Sequence, residues 1–232
     1  MNFRSTDLYL HEEITLLALK DREGTFYMRN YAPAIAGAIL AEMLLTGRIA
    51  LDEGKRKLVN LVRDESFGDD VLDEALGKIR TAKRRADMRT WVQRFQMLPK
   101  LSHRVAQGLC RRGVLRENEQ KILLLFKQKT YPELDHGFEQ RTIWKLQEAI
   151  FGASLEIDPR VVVLVALARA ADLLNLNFDR RELREKRKRI KTIITGNLIG
   201  EATKEAIDAA HAAVAVAAMV PIIAATASTS SH

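Results

Sequence analysis

The run Val161 to Leu174, VVVLVALARAADLL, constrains this chain more than any other stretch. Asp158 and Pro159 precede it, an N-cap residue followed by a proline at the first helical position, which is a common way into a helix. The run is apolar on nearly every face, with Arg169 and Asp172 its only charges. A helix of that kind must be buried all round rather than laid on a surface. At about 14 residues it is too short to cross a bilayer, which takes roughly 20. The reading that follows is a central core helix with amphipathic helices packed around it. The alternative is a membrane-embedded hairpin formed with the apolar C-terminal stretch.

The rest of the chain can supply the shell. Asp7 is placed to cap a first helix, LYLHEEITLLALK, and Asp21 to Gly24 then reads as a turn. Thr25-Phe26-Tyr27 reads as a short strand, and Asn30 to Leu45 as a second helix of small apolar residues. Ile49 to Leu51 and Leu58 to Val62 can pair across the DEGKRK turn. Asp69-Asp70 opens a helix running from Val71 to about Arg80, and Trp91, Phe95 and Leu98 resume a helical stripe. Ser102 to Arg112 is amphipathic and is closed by Gly113, a glycine in the C-cap position. Phe138 to Ile150, the basic stretch Glu182 to Ile194, and the alanine-rich Glu201 to Met219 complete the helices. With no fixed-period repeat and no long linker, the expectation is a mainly α protein. It is a single compact helical domain over residues 1–225, built around a buried central helix with short β-hairpins, followed by a polar tail at 226–232.

The 232 residues are 47% hydrophobic and 29% charged, as folded proteins are, and long enough to bury a sizeable core. The one cysteine, Cys110, excludes an internal disulfide. The N-terminus lacks the basic-then-apolar pattern of a signal peptide. A net charge of +7 and a pI near 9.6 favour anionic partners, nucleic acid or an acidic membrane surface alike. Catalytic signatures are missing: there is no G-x-S-x-G, H-E-x-x-H, P-loop or G-x-G-x-x-G. The five histidines are scattered without metal-ligand spacing. His11-Glu12-Glu13 reads as acidic residues complementing a helix dipole, and Cys110 as a small core residue. No enzyme, metal or cofactor is expected.

Charge and apolar side chains meet between Arg104 and Lys129. Arg104, Arg111, Arg112, Arg116, Lys121, Lys127 and Lys129 surround Ile122-Leu123-Leu124-Leu125-Phe126. A run apolar on both faces is either a buried strand or an exposed tip that enters something apolar. Membrane-surface binders combine such a tip with basic residues that attract anionic head groups. A helix followed by a basic hairpin is also the pattern of a winged-helix nucleic-acid binder, with 102–112 as recognition helix and 114–130 as wing. The REKRKRIK run at 184–191 reads as a solvated face or a docking patch.

Several stretches in order resemble the Golgi phosphoprotein 3 (GPP34) family: LYLHEEITLLALKDREG at 8–24, LLTGRIAL at 44–51, DDVLDEAL at 69–76 and RVAQGLCRRGVL at 104–115. QRTIWKLQEAI at 140–150, the central apolar helix and a final apolar helix at about 205–219 complete the set. The resemblance implies a non-enzymatic peripheral protein on the cytosolic face of a membrane. It implies binding of anionic lipid head groups, phosphatidylinositol 4-phosphate in the family, by a tryptophan and several arginines, and insertion of the hairpin tip into the bilayer.

On this chain Tyr27 stands where the family has its tryptophan, while the expected arginines fall at about Ala36, Pro99 and Ser102. Lys100, His103, Arg104 and Arg111 are the cations left to form the head-group site, and Ile122, Leu123, Leu124, Leu125 and Phe126 match the inserting tip. The implied partners are a phosphoinositide or another acidic lipid, the cytosolic tails of membrane enzymes, and a second copy of the chain through the hairpin; nucleic acid is not among them. The start almost at the domain and the alanine-rich end suggest a divergent, bacterial-type member. A winged-helix nucleic-acid binder and a protein–protein adaptor are the alternatives.

Overall fold

The structure, a computed structural model, describes residues 7–19, 24–26, 31–122 and 126–195, with side chains except at 120–122, 126 and 127. The expected helix at 201–219, the polar tail, Tyr27 and the tip residues Leu123 to Leu125 lie outside the described residues. Within them the protein is mainly helical with two small antiparallel hairpins, as the sequence predicts.

Two helices share the centre. α2 (Ala32–Leu45) is buried along nearly its whole length and packs against α1 (Leu10–Ala18), α3 (Asp70–Arg80), α4 (Met88–Gln96), α5 (Leu101–Arg111) and α7 (Pro159–Ala170). α7 is the predicted core helix. Val162 to Ala168 are all buried, and Asp158 caps its start by accepting from the Arg160 amide at 2.7 Å. It ends four residues before the apolar run does. Asp172 turns left-handed at φ 61° and the Leu173 amide reaches back to the Ala168 carbonyl at 2.8 Å. Leu174 then starts a separate turn, α8 (Leu174–Asn177).

β1 (Ile49–Leu51) and β2 (Val59–Leu61) pair antiparallel across the DEGKRK turn. Asp69 caps α3 through the amides of Val71 and Leu72. The basic stretch after α8 is two helices rather than one, α9 (Arg180–Glu185) and α10 (Arg187–Ile194), broken at Lys186. Phe26 makes a single bridge to Leu19 in place of the predicted strand.

The first helix departs most from expectation. It begins at Leu10 with Tyr9 as N-cap, not after an Asp7 cap, and it is buried on every side. His11, Glu12 and Glu13 are therefore not dipole-complementing surface residues: they are 0%, 1% and 1% exposed. Burying charge demands partners, and the fold brings a cation from a distant part of the chain to each acid. Glu12 accepts from its own turn at Tyr9 (2.8 Å) and from Arg112. Glu13 accepts from Lys145 on α6 (Gly137–Phe151) at 2.7 Å. Glu42 of α2, 0% exposed, accepts from Arg160 of α7 at 2.7 and 2.8 Å and from the Leu10 amide at 2.8 Å. Arg160 also donates to the Leu8 carbonyl at 2.8 Å.

His11 stacks on the Tyr9 ring and sets Nε2 3.4 Å from Asp69, an ion pair too long for a good hydrogen bond. Burial pulls the imidazole down, but the Asp69 carboxylate, with Glu12 and Glu42 behind it, outweighs burial and the net shift is upward. Burial likewise opposes Asp69, yet His11 and two helix amides hold its carboxyl at about 2. The signs set the pH window. The raised His11 contributes stability in full below its unfolded pKa near 6.5, lost as pH rises through the folded value. The depressed Asp69 contributes in full above 3.8, lost as pH falls through about 2. Thermal melts from about pH 5 to about pH 9 should therefore show wild-type stability declining on the alkaline side, and His11→Gln should flatten that limb. Equal slopes in the two proteins would refute the charged pair.

Candidate functional site

α5 carries the cations that the sequence singles out. Its inner face, Leu101, Val105, Ala106, Gly108 and Leu109, packs against α1, α2 and α3. Lys100, His103, Arg104, Gln107 and Arg111 recur at three- and four-residue spacing, which places them along the opposite, outer face. Lys100 enters the helix left-handed at φ 52°. The far end closes as predicted: Gly113 is at φ 74°, its amide bonds the Cys110 carbonyl and the Val114 amide bonds Leu109, both at 3.0 Å.

The outer face lies between two walls. On one side α3 presents acids a turn apart, so that Glu74 meets Arg104 at 2.5 Å and Asp70 meets Arg111 at 2.6 Å. Both pairs are partly solvated and worth at most about 1 kcal/mol each, so a phosphate can compete for the guanidinium groups. On the other side stands the root of a hairpin, β3 (Asn118–Ile122) and β4 (Phe126–Thr130). Glu117 bonds Gln107 at 3.0 Å and pairs with Lys129. Arg112, counted with the basic surface in the sequence, instead turns inward to Glu12 and to the Asp7 carbonyl.

His103 faces the hairpin root. Its Nδ1 lies 3.0 Å from the Tyr131 hydroxyl and its ring meets the edge of Phe26 at 5.7 Å. Burial, then Lys129, push the imidazole below its usual value, so at neutral pH it is uncharged. Burial and Glu117 push the Tyr131 phenol up to about 12. Phe26, the residue before Tyr27, is thus laid against His103. That approach rests on Gly24, which is left-handed at φ 60° and whose carbonyl accepts from the Tyr131 amide at 2.6 Å. A Cβ there would fall 2.1 Å from the Pro132 nitrogen.

The hairpin register pairs Ile122 with Phe126 as the last pair of the ladder, and neither strand packs extensively on another element. Of the sequence-predicted residues, Lys100, His103, Arg104 and Arg111 share one helix face. Ile122 and Phe126 are the terminal pair of the hairpin, and Tyr27 and Leu123 to Leu125 fall outside the described residues. Phe26, Gln107, Glu117 and Tyr131 were not singled out in the sequence. Only the helical spacing of Gln107 pointed to the site; the other three reach it through contacts distant along the chain. Among the described residues no metal-ligating cluster occurs, and no helix is long and apolar enough to cross a membrane.

The model of the Golgi phosphoprotein 3 (GPP34) family matches residues 10–210. The chain belongs to the GPP34 family. It is similar to the vacuolar protein sorting-associated protein 74 of Schizosaccharomyces pombe, 28% identical over 214 residues, a match covering 75% of this chain and 63% of that protein. The match therefore spans less than two thirds of that relative's length. The α5 face and the β3–β4 hairpin of this GPP34 member both lie inside the family match.

Proposed function

We propose that this GPP34 member is a peripheral protein on the cytosolic face of a membrane. The outer face of α5 binds anionic lipid head groups and the apolar end of the β3–β4 hairpin enters the bilayer. The observation that carries this reading is the single face holding Lys100, Arg104 and Arg111 beside His103 and the hairpin root. Lys100 supplies an exposed ammonium, and the two arginines supply guanidinium forks suited to phosphate oxygens. The names of the family and of the yeast relative, Golgi phosphoprotein and vacuolar protein sorting, support a membrane setting. The position expected to carry an arginine in α2, Ala36, is fully buried. The reading is therefore an acidic lipid, with phosphatidylinositol 4-phosphate as the family's case, and tails of membrane enzymes as protein partners.

Co-sedimentation with phosphatidylcholine vesicles, with and without phosphatidylserine or phosphatidylinositol 4-phosphate, tests it beside a DNA shift assay. Wild type should bind only acidic vesicles, more weakly as salt rises. Lys100→Gln should weaken binding about fivefold, the equivalent of about 1 kcal/mol for one cation near the surface. Leu124→Glu should keep thermal stability within about 0.5 kcal/mol while vesicle binding falls by roughly 10- to 150-fold, the loss expected when one leucine no longer inserts. An unfolded Leu124→Glu chain would place that leucine in a core. Binding to DNA instead of vesicles would give the winged-helix reading, and binding to neither would leave an adaptor.

A further inference from the structure

The basic stretch 184–191 divides its cations by direction. Arg189 turns inward and donates to the carbonyls of Ala149 and Ser154, both at 2.8 Å. Lys188 points to solvent. Arg187 and Lys191, one turn apart on α10, face Arg169 of α7 across a cavity of about 400 Å³. Ala166, Ala170, Ile194 and Thr195 complete its lining, and among the described residues no carboxylate lines it. Among the described residues none of the three cations is in an ion pair. Asp172, three residues from Arg169, is hydrogen-bonded by Asn175, and Glu185, two residues before Arg187, pairs with Arg181 at 3.7 Å. Attraction to the C-terminal carbonyls of their own helices accounts for Arg169 on α7 and Lys191 on α10, but not for Arg187, which opens α10. Arg169, Arg187 and Lys191 are all solvent-exposed, so their mutual repulsion is screened by water and salt, and an anion between them would relieve what remains. Two guanidinium forks and an ammonium match the oxygens of a phosphate group, and small alanines leave room for it.

We propose that the cavity between α7 and α10 is an anion site that takes a phosphate group, held by Arg169, Arg187 and Lys191. It shares no residue with the α5 face, and α10 packs on α6, α7 and α9 rather than on α5. The phosphate can come free from solution or on a lipid head group.

The test is acetylation of the full chain by acetic anhydride, with the rates at Lys191 and Lys188 read by mass spectrometry. Lys188 is the control on the same helix. Inorganic phosphate, against sodium chloride of matched ionic strength, should slow Lys191 about threefold at twice its Kd and leave Lys188 unchanged. Protection by inorganic phosphate assigns a free ligand. Protection only by vesicles containing phosphatidic acid assigns a lipid source, and either supports the site. Arg187→Gln should abolish the protection, whereas Lys100→Gln should keep it, which separates failure here from failure at α5. No protection beyond the chloride control overturns the proposal, and so does protection that survives Arg169→Gln with Arg187→Gln. It is also overturned if Lys191 is slow without ligand and is released by Glu201→Gln, Glu205→Gln and Asp208→Asn together, since the chain's own carboxylates would then fill the cavity.

Discussion

Arg160→Ala is expected to destabilise the protein by about 3–5 kcal/mol, the usual cost of removing one partner from a buried ion pair. For a chain of this size that lowers the melting midpoint by about 6–20 °C. The cause is the orphan left behind. Glu42 is 0% exposed and takes two of its hydrogen bonds from this guanidinium, keeping only the Leu10 amide. Glu13 loses its second cation, 3.9 Å away, and its carboxyl is already raised by burial against the pull of Arg160 and Lys145. The Leu8 carbonyl loses a donor as well. Adding Glu42→Gln to Arg160→Ala should recover part of the loss, because the uncompensated charge disappears. A single variant within about 1 kcal/mol of wild type would mean that water reaches Glu42 and that the network is not closed.

Gly24→Ala is expected to cost about 2–4 kcal/mol, the sum of a left-handed alanine and an overpacked contact. The added methyl would fall 2.1 Å from the Pro132 nitrogen and 2.2 Å from the Tyr131 carbonyl carbon, both backbone atoms that no rotamer change can move. The strain is relieved only by parting the 24–26 segment from the hairpin root. That breaks the bond from the Tyr131 amide and draws Phe26 away from His103. Acidic-vesicle binding should fall with stability even though no charge is altered. Chemical denaturation and vesicle co-sedimentation on the same preparation measure both. A variant as stable as wild type would show that the two segments are not in contact, and a destabilised variant with unchanged vesicle binding would detach the 24–26 segment from the site.

Much of the fold was legible because it depends on local pattern. The nearly all-apolar run at 161–174 had to be buried. Asp69, Asp158 and Gly113 sit where helix ends need a side-chain acceptor or a left-handed residue, and each does that in the structure. The amphipathic stretch 102–112 was legible as a helix, and the structure then shows Lys100, His103, Arg104 and Arg111, which the family resemblance had singled out, along its outer face. Where the pattern was silent, the reading went astray. The apolar run carried no glycine or proline to signal a turn at Asp172, where the chain turns left-handed and α7 has already ended. The basic stretch 182–194 looked continuous, yet it breaks at Lys186.

Hydrophobic periodicity and end signals by themselves determined the fold class and which face of α5 stays outside, since both follow from interactions a few residues apart. Only the tertiary structure decided the fate of the charges. Glu12 and Glu13 read as a solvated helix start, and the fold buries them against Arg112, 100 residues away, and Lys145, 132 away. The sequence equally could not tell Arg112, drawn inward, from Arg111, left outside, or Arg189 from Lys191. A charge is spent or left free according to which distant group the packing brings within hydrogen-bond reach, and sequence spacing does not encode that distance.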